Sequence, residues 1–516
     1  MINKDRKENI SRRTFMKSAT AAAFAAPALF YPSNACGRAK ASSPNIIFIH
    51  VDQMSLLDSI AAFGAEFTST PAIDRIVRNG TSFMQSYSTD PVCCPARAGW
   101  WTGTYPSENG IVVNNTPCHQ DTPDLSRLLQ QAGYNTYYTG KWHVPGKNVR
   151  QLFHVIHEGS WWGELTDQEV TRSGRAFLRN YDDNKPFFLS LGYLNPHDIC
   201  ITPSIEYARA ETVNGKKVPR YTKTGVLNDN EIPPLPTAHE YDRREPTIQI
   251  ATHRGWIDNP KFSEWSDDLW RMHRYNYHRF IEMVDAEIGL LLDELEQSKW
   301  RDNTLIIFCS DHGEGMARHW GVGKSTFYEE TVKVPFVVAA LGDVLRVRKN
   351  VKDTEHLVSG IDFGRTVCDY AGADGAKLPH GRSLRSLVER GKSDGWREYV
   401  YAESSVYMHM VSDGRFKYIR SYEENEGFTG LPPSMQTHRM GVEQLFDLQE
   451  DPDEQHNLAY ENASQPLLEK LRSVMDEKEA ARIPLRPVPH ETGLNWMKRN
   501  TDIIRKRDYP KTYSIS

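Results

Sequence analysis

Five short segments of the 516-residue chain carry residue types that do chemistry. Asp52-Gln53 follows an apolar run at 45–51, and Lys141 and His143 follow a second run at 136–139. His197 follows a third at 187–191, and Asp311-His312 follows a fourth at 304–309. The fifth segment, Cys93-Cys94-Pro95-Ala96-Arg97, sets a thiol and a guanidinium four residues apart. Asp52, Gln53, Asp311 and His312 offer mainly oxygen donors, which suit a hard divalent cation, Ca2+ first and Mg2+ second. A bound cation lowers the pKa of a hydroxyl and makes a nucleophile at neutral pH. Histidines nearby can move protons, and a lysine can neutralise charge that develops on an oxyanion.

Residues so far apart must be gathered by the fold. The four apolar runs lack alternation, the mark of strands buried on both faces in a parallel sheet. Helical spacing lies between them, at Leu125, Leu128, Leu129 and Ala132, and at Phe280, Val284, Ile288, Leu291 and Leu295. This alternation predicts an α/β/α sandwich around a large, mostly parallel sheet. Ligands of such sheets sit beyond the carboxyl ends of the strands, where all four polar clusters fall. Residues 205–270 are polar and weakly periodic, and read as a long insertion over that face. From about residue 396 the texture changes. Short antiparallel strands are expected at 399–403 and 416–419. A helix is expected over 465–480, with Leu467, Leu468, Leu471 and Val474 on one face. The chain thus divides into 1–41, a catalytic domain over 42–395, and a smaller C-terminal subdomain over 396–516.

Composition sets further bounds. Lys+Arg 62 against Asp+Glu 67 gives a net charge of −5, which argues against a nucleic-acid binder. Seven cysteines are too few for a disulfide scaffold. No apolar run is long enough for stable membrane insertion. Residues 1–41 carry eight basic and two acidic side chains. Arg12-Arg13 with Phe15, then a mild apolar run from 19 to 30, has the form of a twin-arginine export signal. The expected location is the periplasm. Ala39-Lys40-Ala41 is a candidate cleavage site, and lipidation at Cys36 is the less favoured alternative.

The segment at 91–103 resembles the signature of the formylglycine-dependent sulfatases of the alkaline phosphatase superfamily. Cys93, Pro95, Arg97, Thr102 and Gly103 match its C-x-P-x-R and T-G positions, with Trp100-Trp101 in place of the usual aliphatic pair. Gly140-Lys141-Trp142-His143, Asn195-Pro196-His197, Ser310-Asp311-His312-Gly313-Glu314 and Lys324 follow in the family's order. Late in the chain, Leu445-Phe446-Asp447-Leu448 and Asp451-Pro452-Asp453-Glu454 continue the likeness. Many members carry two aspartates where this chain has Asp52-Gln53; that variant is similar to choline-sulfatase and phosphonate-monoesterase branches.

The resemblance implies oxidation of Cys93 to formylglycine by a maturing enzyme, and hydrolysis of a sulfate ester. Asp52, Gln53, Cys93, Asp311 and His312 would hold the cation. Lys141 and Lys324 would neutralise sulfate oxygens, and Arg97 would orient residue 93. His143 would be the base for sulfate expulsion and His197 the acid for the leaving alcohol. Export, the insertion and the tryptophans of the long loops (Trp161, Trp162, Trp256, Trp265 and Trp270) point to a sulfated carbohydrate as substrate, although loop tryptophans are more often local packing anchors than sugar-stacking faces. The alternatives are a phosphonate or phosphate ester hydrolase of the same fold, and a non-catalytic sulfated-glycan-binding homologue. His50 and His319 receive no role. Cys118, Cys200, Cys309 and Cys368 are expected to be free thiols.

Overall fold

The computed structural model describes residues 43–160, 162–219, 229–240, 262–404, 408–423 and 439–482. The expected export signal, Cys36, Trp161, Trp256 and much of the insertion lie outside these residues.

The apolar run ending at Asp52 forms β1 (Asn45–Asp52), every residue of which is buried. Seven more strands complete its sheet: β2 (Gly80–Phe83), β3 (Asn135–Gly140), β4 (His154–Glu158), β5 (Phe187–Pro196), β6 (Thr304–Ser310), β7 (Phe336–Ala339) and β8 (Val351–Asp353). Their order is β8-β2-β7-β6-β1-β5-β3-β4. The neighbours β6, β1, β5, β3 and β4 run parallel, and β7 is antiparallel to both β6 and β2.

Alternate side chains of β1 point to opposite layers, as the pleat requires. Ile46 and Phe48 meet α2 (Cys93–Thr102), α3 (Leu125–Gln131) and α7 (Asp362–Ala371) through Trp100, Leu125 and Phe363. Ile47, Ile49 and Val51 meet α1 (Pro71–Arg78), α4 (Gly163–Asn180) and α6 (Asp267–Gln297) through Ile73, Val170 and Ile288. The sheet therefore has helices on both faces, as its uninterrupted apolar strands require.

A second sheet pairs β9 (Val400–Ser404), β10 (Met408–Ser412), β11 (Phe416–Glu423) and β12 (Arg439–Asp447) in antiparallel order. Helix α8 (Gln465–Ala480) lays Leu468, Leu471 and Met475 against it. The β9 end reaches the large layer, because Ser404 Oγ donates to Ser325 O and Glu403 accepts from Ser107. Among the described residues no helix is long and apolar enough to cross a membrane.

The described parts of the insertion are more structured than their sequence suggests. It opens inside α5 (Thr202–Arg209) and continues through a hairpin pairing residues 211–213 with 216–218. Trp265 and Trp270 are buried with Phe262, Leu269 and Val322. These two tryptophans are packing anchors, the commoner role of loop tryptophans, and their faces are not open to a sugar. Trp162, which precedes α4 and lies outside the insertion, is half exposed.

Candidate active site

The central parallel strands end side by side. Val51 lies opposite Ser310, Asp52 opposite Pro196, and Gly140 opposite Gly192. Asp52 closes β1, Lys141 and His197 each follow their strand by one residue, and Asp311-His312 follow β6. Gly140 has φ 93°, and a Cβ there would lie 2.1 Å from the Gly192 carbonyl oxygen. Glycine is thus what lets β3 close onto β5. The Lys141 N–H then donates to that same carbonyl at 2.9 Å.

Cys93 is the first residue of α2 and is fully buried. Pro95 is tolerated in that first turn because its missing N–H would have had no helical partner. Lys324 Nζ donates to Cys93 Sγ at 2.8 Å, His312 Nε2 lies 3.1 Å away and Asp52 Oδ1 3.8 Å. Burial and the Asp52 charge push the thiol up. Lys324, Lys141 and His312 outweigh them and hold it well below the ordinary thiol range. The helix N-terminus favours the same anionic form.

Arg97, one turn further along α2, bridges the two carboxylates. Its Nη2 donates to Asp52 Oδ2 and its Nε to Asp311 Oδ2, each at 2.8 Å, with all three side chains buried. Lys141 Nζ lies 2.7 Å from Asp52 Oδ2. Burial alone would raise Asp52, but Lys141, His197, Arg97 and Lys324 hold it well below the usual carboxylate range. Asp311 moves the other way, raised by burial and by the charge of Asp52. Its Oδ1 accepts the backbone N–H groups of Gln53 and His312, each at 3.0 Å.

Gln53 has φ 72°, an uncommon conformation for a residue other than glycine, and this turn carries its N–H to Asp311. His312 Nδ1 donates to the Gly313 carbonyl at 2.9 Å. A carbonyl only accepts, so Nδ1 carries a proton and Nε2 is the nitrogen that faces the cluster.

Donor atoms of Asp52, Cys93, Asp311 and His312 all lie within 4.8 Å of one another. Two buried carboxylates so close repel each other, and the rise at Asp311 records that repulsion. A divalent cation relieves it, so the residues present fit such an ion. Gln53 Oε1 accepts from Lys324 Nζ at 3.1 Å. His143 and His197 both interact with the Cys93 side chain. Burial and the Lys141 charge lower both rings, His197 to about 4. The structure thus brings all ten residues selected from the sequence into one cluster.

A family model for sulfatases matches residues 44–373. The chain belongs to the sulfatase family. With the fold described above, this places it in the alkaline phosphatase superfamily, and its reaction class is hydrolysis of sulfuric esters. A second model, for the C-terminal part of N-sulphoglucosamine sulphohydrolase, matches residues 318–481. The chain is 25% identical over 470 residues to a Delta 4,5-hexuronate-2-O-sulfatase of Bacteroides thetaiotaomicron, covering 86% of this chain and 90% of that protein. It is 27% identical over 488 residues to an ulvan-active sulfatase of Formosa agariphila, covering 89% and 81%. The solved structure of a 2-O GAG sulfatase has a TM-score of 0.69 at 22% identity, covering 92% of this chain and 98% of that one.

Four further residues of this sulfatase touch the cluster or its supports, and sequence analysis gave them no role there. His50 is buried between Ser190 Oγ and Arg97 Nη1, at 3.1 and 3.2 Å, and so steadies the guanidinium. Cys200 Sγ donates to Gln53 Oε1 at 3.1 Å. Glu314 accepts from Gln53 Nε2, and His273 on α6 lies against Glu314. Glu314 ends the Ser310-Asp311-His312-Gly313-Glu314 motif and was the one with a sequence signal. His319 is structural, stacked on Tyr328 at 3.7 Å and paired with Glu330. Cys118, Cys200, Cys309 and Cys368 are free thiols.

Proposed function

We propose that this sulfatase removes sulfate from a carbohydrate, with residue 93 acting as formylglycine beside a Ca2+ ion. The observation that carries the reading is the crowding at Cys93 Sγ. An ammonium at 2.8 Å, an imidazole nitrogen at 3.1 Å and a carboxylate at 3.8 Å surround one buried nucleophilic position. Asp52, Asp311, His312 and residue 93 would hold the cation, with Gln53 beside them. The cation supplies Lewis acidity, lowering the pKa of a coordinated hydroxyl. Hydrated formylglycine supplies two hydroxyls, one to attack sulfur and one whose deprotonation expels the sulfate.

The chain's own residues do the rest. Lys141 and Lys324 bind the sulfuryl oxygens and offset their charge as the ester bond breaks. Arg97 ties Asp52 to Asp311 and favours the charged form of each. His143 takes the proton during sulfate expulsion. His197 gives a proton to the leaving alcohol. In the free site burial and Lys141 keep its ring neutral, and the negative charge of a bound sulfate ester offsets Lys141 and draws a proton onto it. The carbohydrate class is supported by the hexuronate and ulvan sulfatases named above. Arg12-Arg13 and the apolar run after them support twin-arginine export to the periplasm.

The test is peptide mass spectrometry at residue 93, with sulfate release measured with and without a co-expressed formylglycine-generating enzyme. Aldehyde at 93 should track activity, and Cys93→Ala should abolish it. Equal activity of Cys93→Ala defeats the proposal. A higher kcat/KM on an aryl phosphate diester than on an aryl sulfate moves the enzyme to the phosphoester branch.

A further inference from the structure

Gln53 stands between two groups of opposite hydrogen-bonding character. Glu314, as a carboxylate, only accepts, and Lys324, as an ammonium, only donates. Gln53 Nε2 lies 2.5 Å from Glu314 Oε2, and Gln53 Oε1 lies 3.1 Å from Lys324 Nζ. With an acceptor on one side and a donor on the other, the amide has a single allowed orientation. Its oxygen must face Lys324, whose ammonium also reaches Cys93 Sγ and, at 3.3 Å, His312 Nε2.

Glu314 uses both oxygens. Its Oε1 accepts the Gly323 N–H at 2.6 Å, one residue before Lys324. One carboxylate therefore holds the Gln53 amide and the backbone that delivers Lys324. Behind it lies His273, buried on α6, with Nε2 3.6 Å from Glu314 Oε1 and Nδ1 3.8 Å from Glu206 Oε2. Glu206 belongs to α5, the helix in which the insertion begins, and accepts from Asn276 Nδ2 on α6. Burial alone would lower His273, but the two carboxylates outweigh it and raise the ring to about 9. An imidazolium between two carboxylates balances charge in a dry interior.

We infer that Glu314, His273 and Glu206 form a buried positioning relay that holds the Gln53 amide oxygen toward the cation cluster and couples it to the seating of α5. The relay rests on the reading of Asp52, Asp311 and His312 as a divalent-cation site. It also accounts for a neutral glutamine standing where many family members carry a second aspartate. The missing negative charge sits one hydrogen bond behind, on Glu314, where it polarises the amide oxygen.

The relay is tested by calorimetric titration of the full chain with Ca2+, using wild type, Glu314→Gln, Gln53→Ala and the double variant. Glutamine at 314 has one accepting oxygen where Gln53 Nε2 and the Gly323 N–H each need one, so it must release a partner. Glu314→Gln and Gln53→Ala should each weaken Ca2+ binding by roughly 10–100-fold, the usual loss when a partner of a metal ligand is removed. The double variant should bind as weakly as the weaker single variant, because both changes cut the same link. Glu206→Gln, at the far end, should weaken binding in the same direction by less.

A purely structural role would lower the unfolding midpoint without Ca2+ and leave the Kd of the folded protein unchanged. An unchanged Kd in Glu314→Gln, or losses that add in the double variant, overturns the relay alone. A wild type that binds neither Ca2+ nor Mg2+ overturns the cation site itself, and the relay with it.

Discussion

Two of the buried ionic clusters among the described residues differ in what surrounds Lys417 and Lys324. In one, Lys417 of β11 is enclosed by Glu454 Oε1 at 2.5 Å, the Phe327 carbonyl at 2.6 Å and Glu329 Oε1 at 3.1 Å. Lys333 closes the other side of Glu329 at 2.9 Å. Each charge there meets its opposite, and the result pins the second sheet to the segment before β7. In the other cluster, the contacts of Lys324 include a thiol, an amide oxygen and a ring nitrogen, while Asp52 and Asp311 are pressed together through a single arginine. Burial of charge is common to both. On the function proposed above, the cluster that does chemistry is the one in which carboxylates and ammonium groups converge on a nucleophilic atom, and a bound cation would offset the repulsion between its two carboxylates.

The largest effect expected from breaking this contrast is catalytic. His197→Ala should lower kcat on a sulfated sugar by ~10²–10⁴, the usual contribution of a placed acid. An aryl sulfate with a good leaving group should lose far less, and equal losses on both would remove His197 from the leaving-group side. Next, Lys417→Met should cost ~3–5 kcal/mol of stability by leaving buried Glu454 without its cation and Glu329 with Lys333 alone. Urea unfolding would read that loss, while kcat/KM of the folded enzyme should stay at the wild-type value. A parallel fall in kcat/KM would show that the closed cluster also serves chemistry. Lys324→Met, the matching change in the open cluster, should lower kcat by ~10²–10³. Steady-state kinetics on one aryl sulfate would decide it, and an unchanged kcat would take Lys324 off the sulfuryl oxygens.

The smallest effect lies in the pH dependence of stability. Burial raises Glu454 to about 7, with Glu329 and Glu330 adding to it, whereas Lys333 and Lys417 overcome burial at Glu329 and lower it to about 2. The raised group takes up a proton on folding. Its stabilisation is present below its unfolded pKa and is lost as pH rises through 7. The lowered group stabilises above its unfolded pKa and loses that as pH falls toward 2. Glu454→Gln mimics the protonated form, so it should change stability at pH 7 by less than ~1 kcal/mol and flatten the decline between the unfolded value and about 7. An unchanged decline would mean that Glu454 is already ionised in that range.

Much of the site was legible because it stands at strand ends. An uninterrupted apolar run gives the strand, and the polar residue that stops it gives the site position, so Asp52, Lys141, His197 and Asp311 could be placed by pattern. Helix α8 has the bounds its periodicity predicts, since one apolar face against a sheet leaves a strong signal. The insertion was less legible. Trp265 and Trp270 pack with the nearby Phe262 and Leu269, and their burial is completed by Ala317 and Val322, some fifty residues away. His273 was equally silent. Its place behind Glu314 follows from the packing of α6 across the sheet, which helical spacing alone does not orient. Glu314 was quoted in a motif without a role, because its partner Gln53 lies 261 positions away.

Residue 93 has no accessible surface in the folded chain. On the function proposed here, its thiol is remade by another protein, which must grip the surrounding backbone. Such a grip is open only to a nascent or unstructured polypeptide. The schedule of maturation is then set by the closing of α2 against the sheet, and a molecule that folds before it is modified is committed to remaining inert.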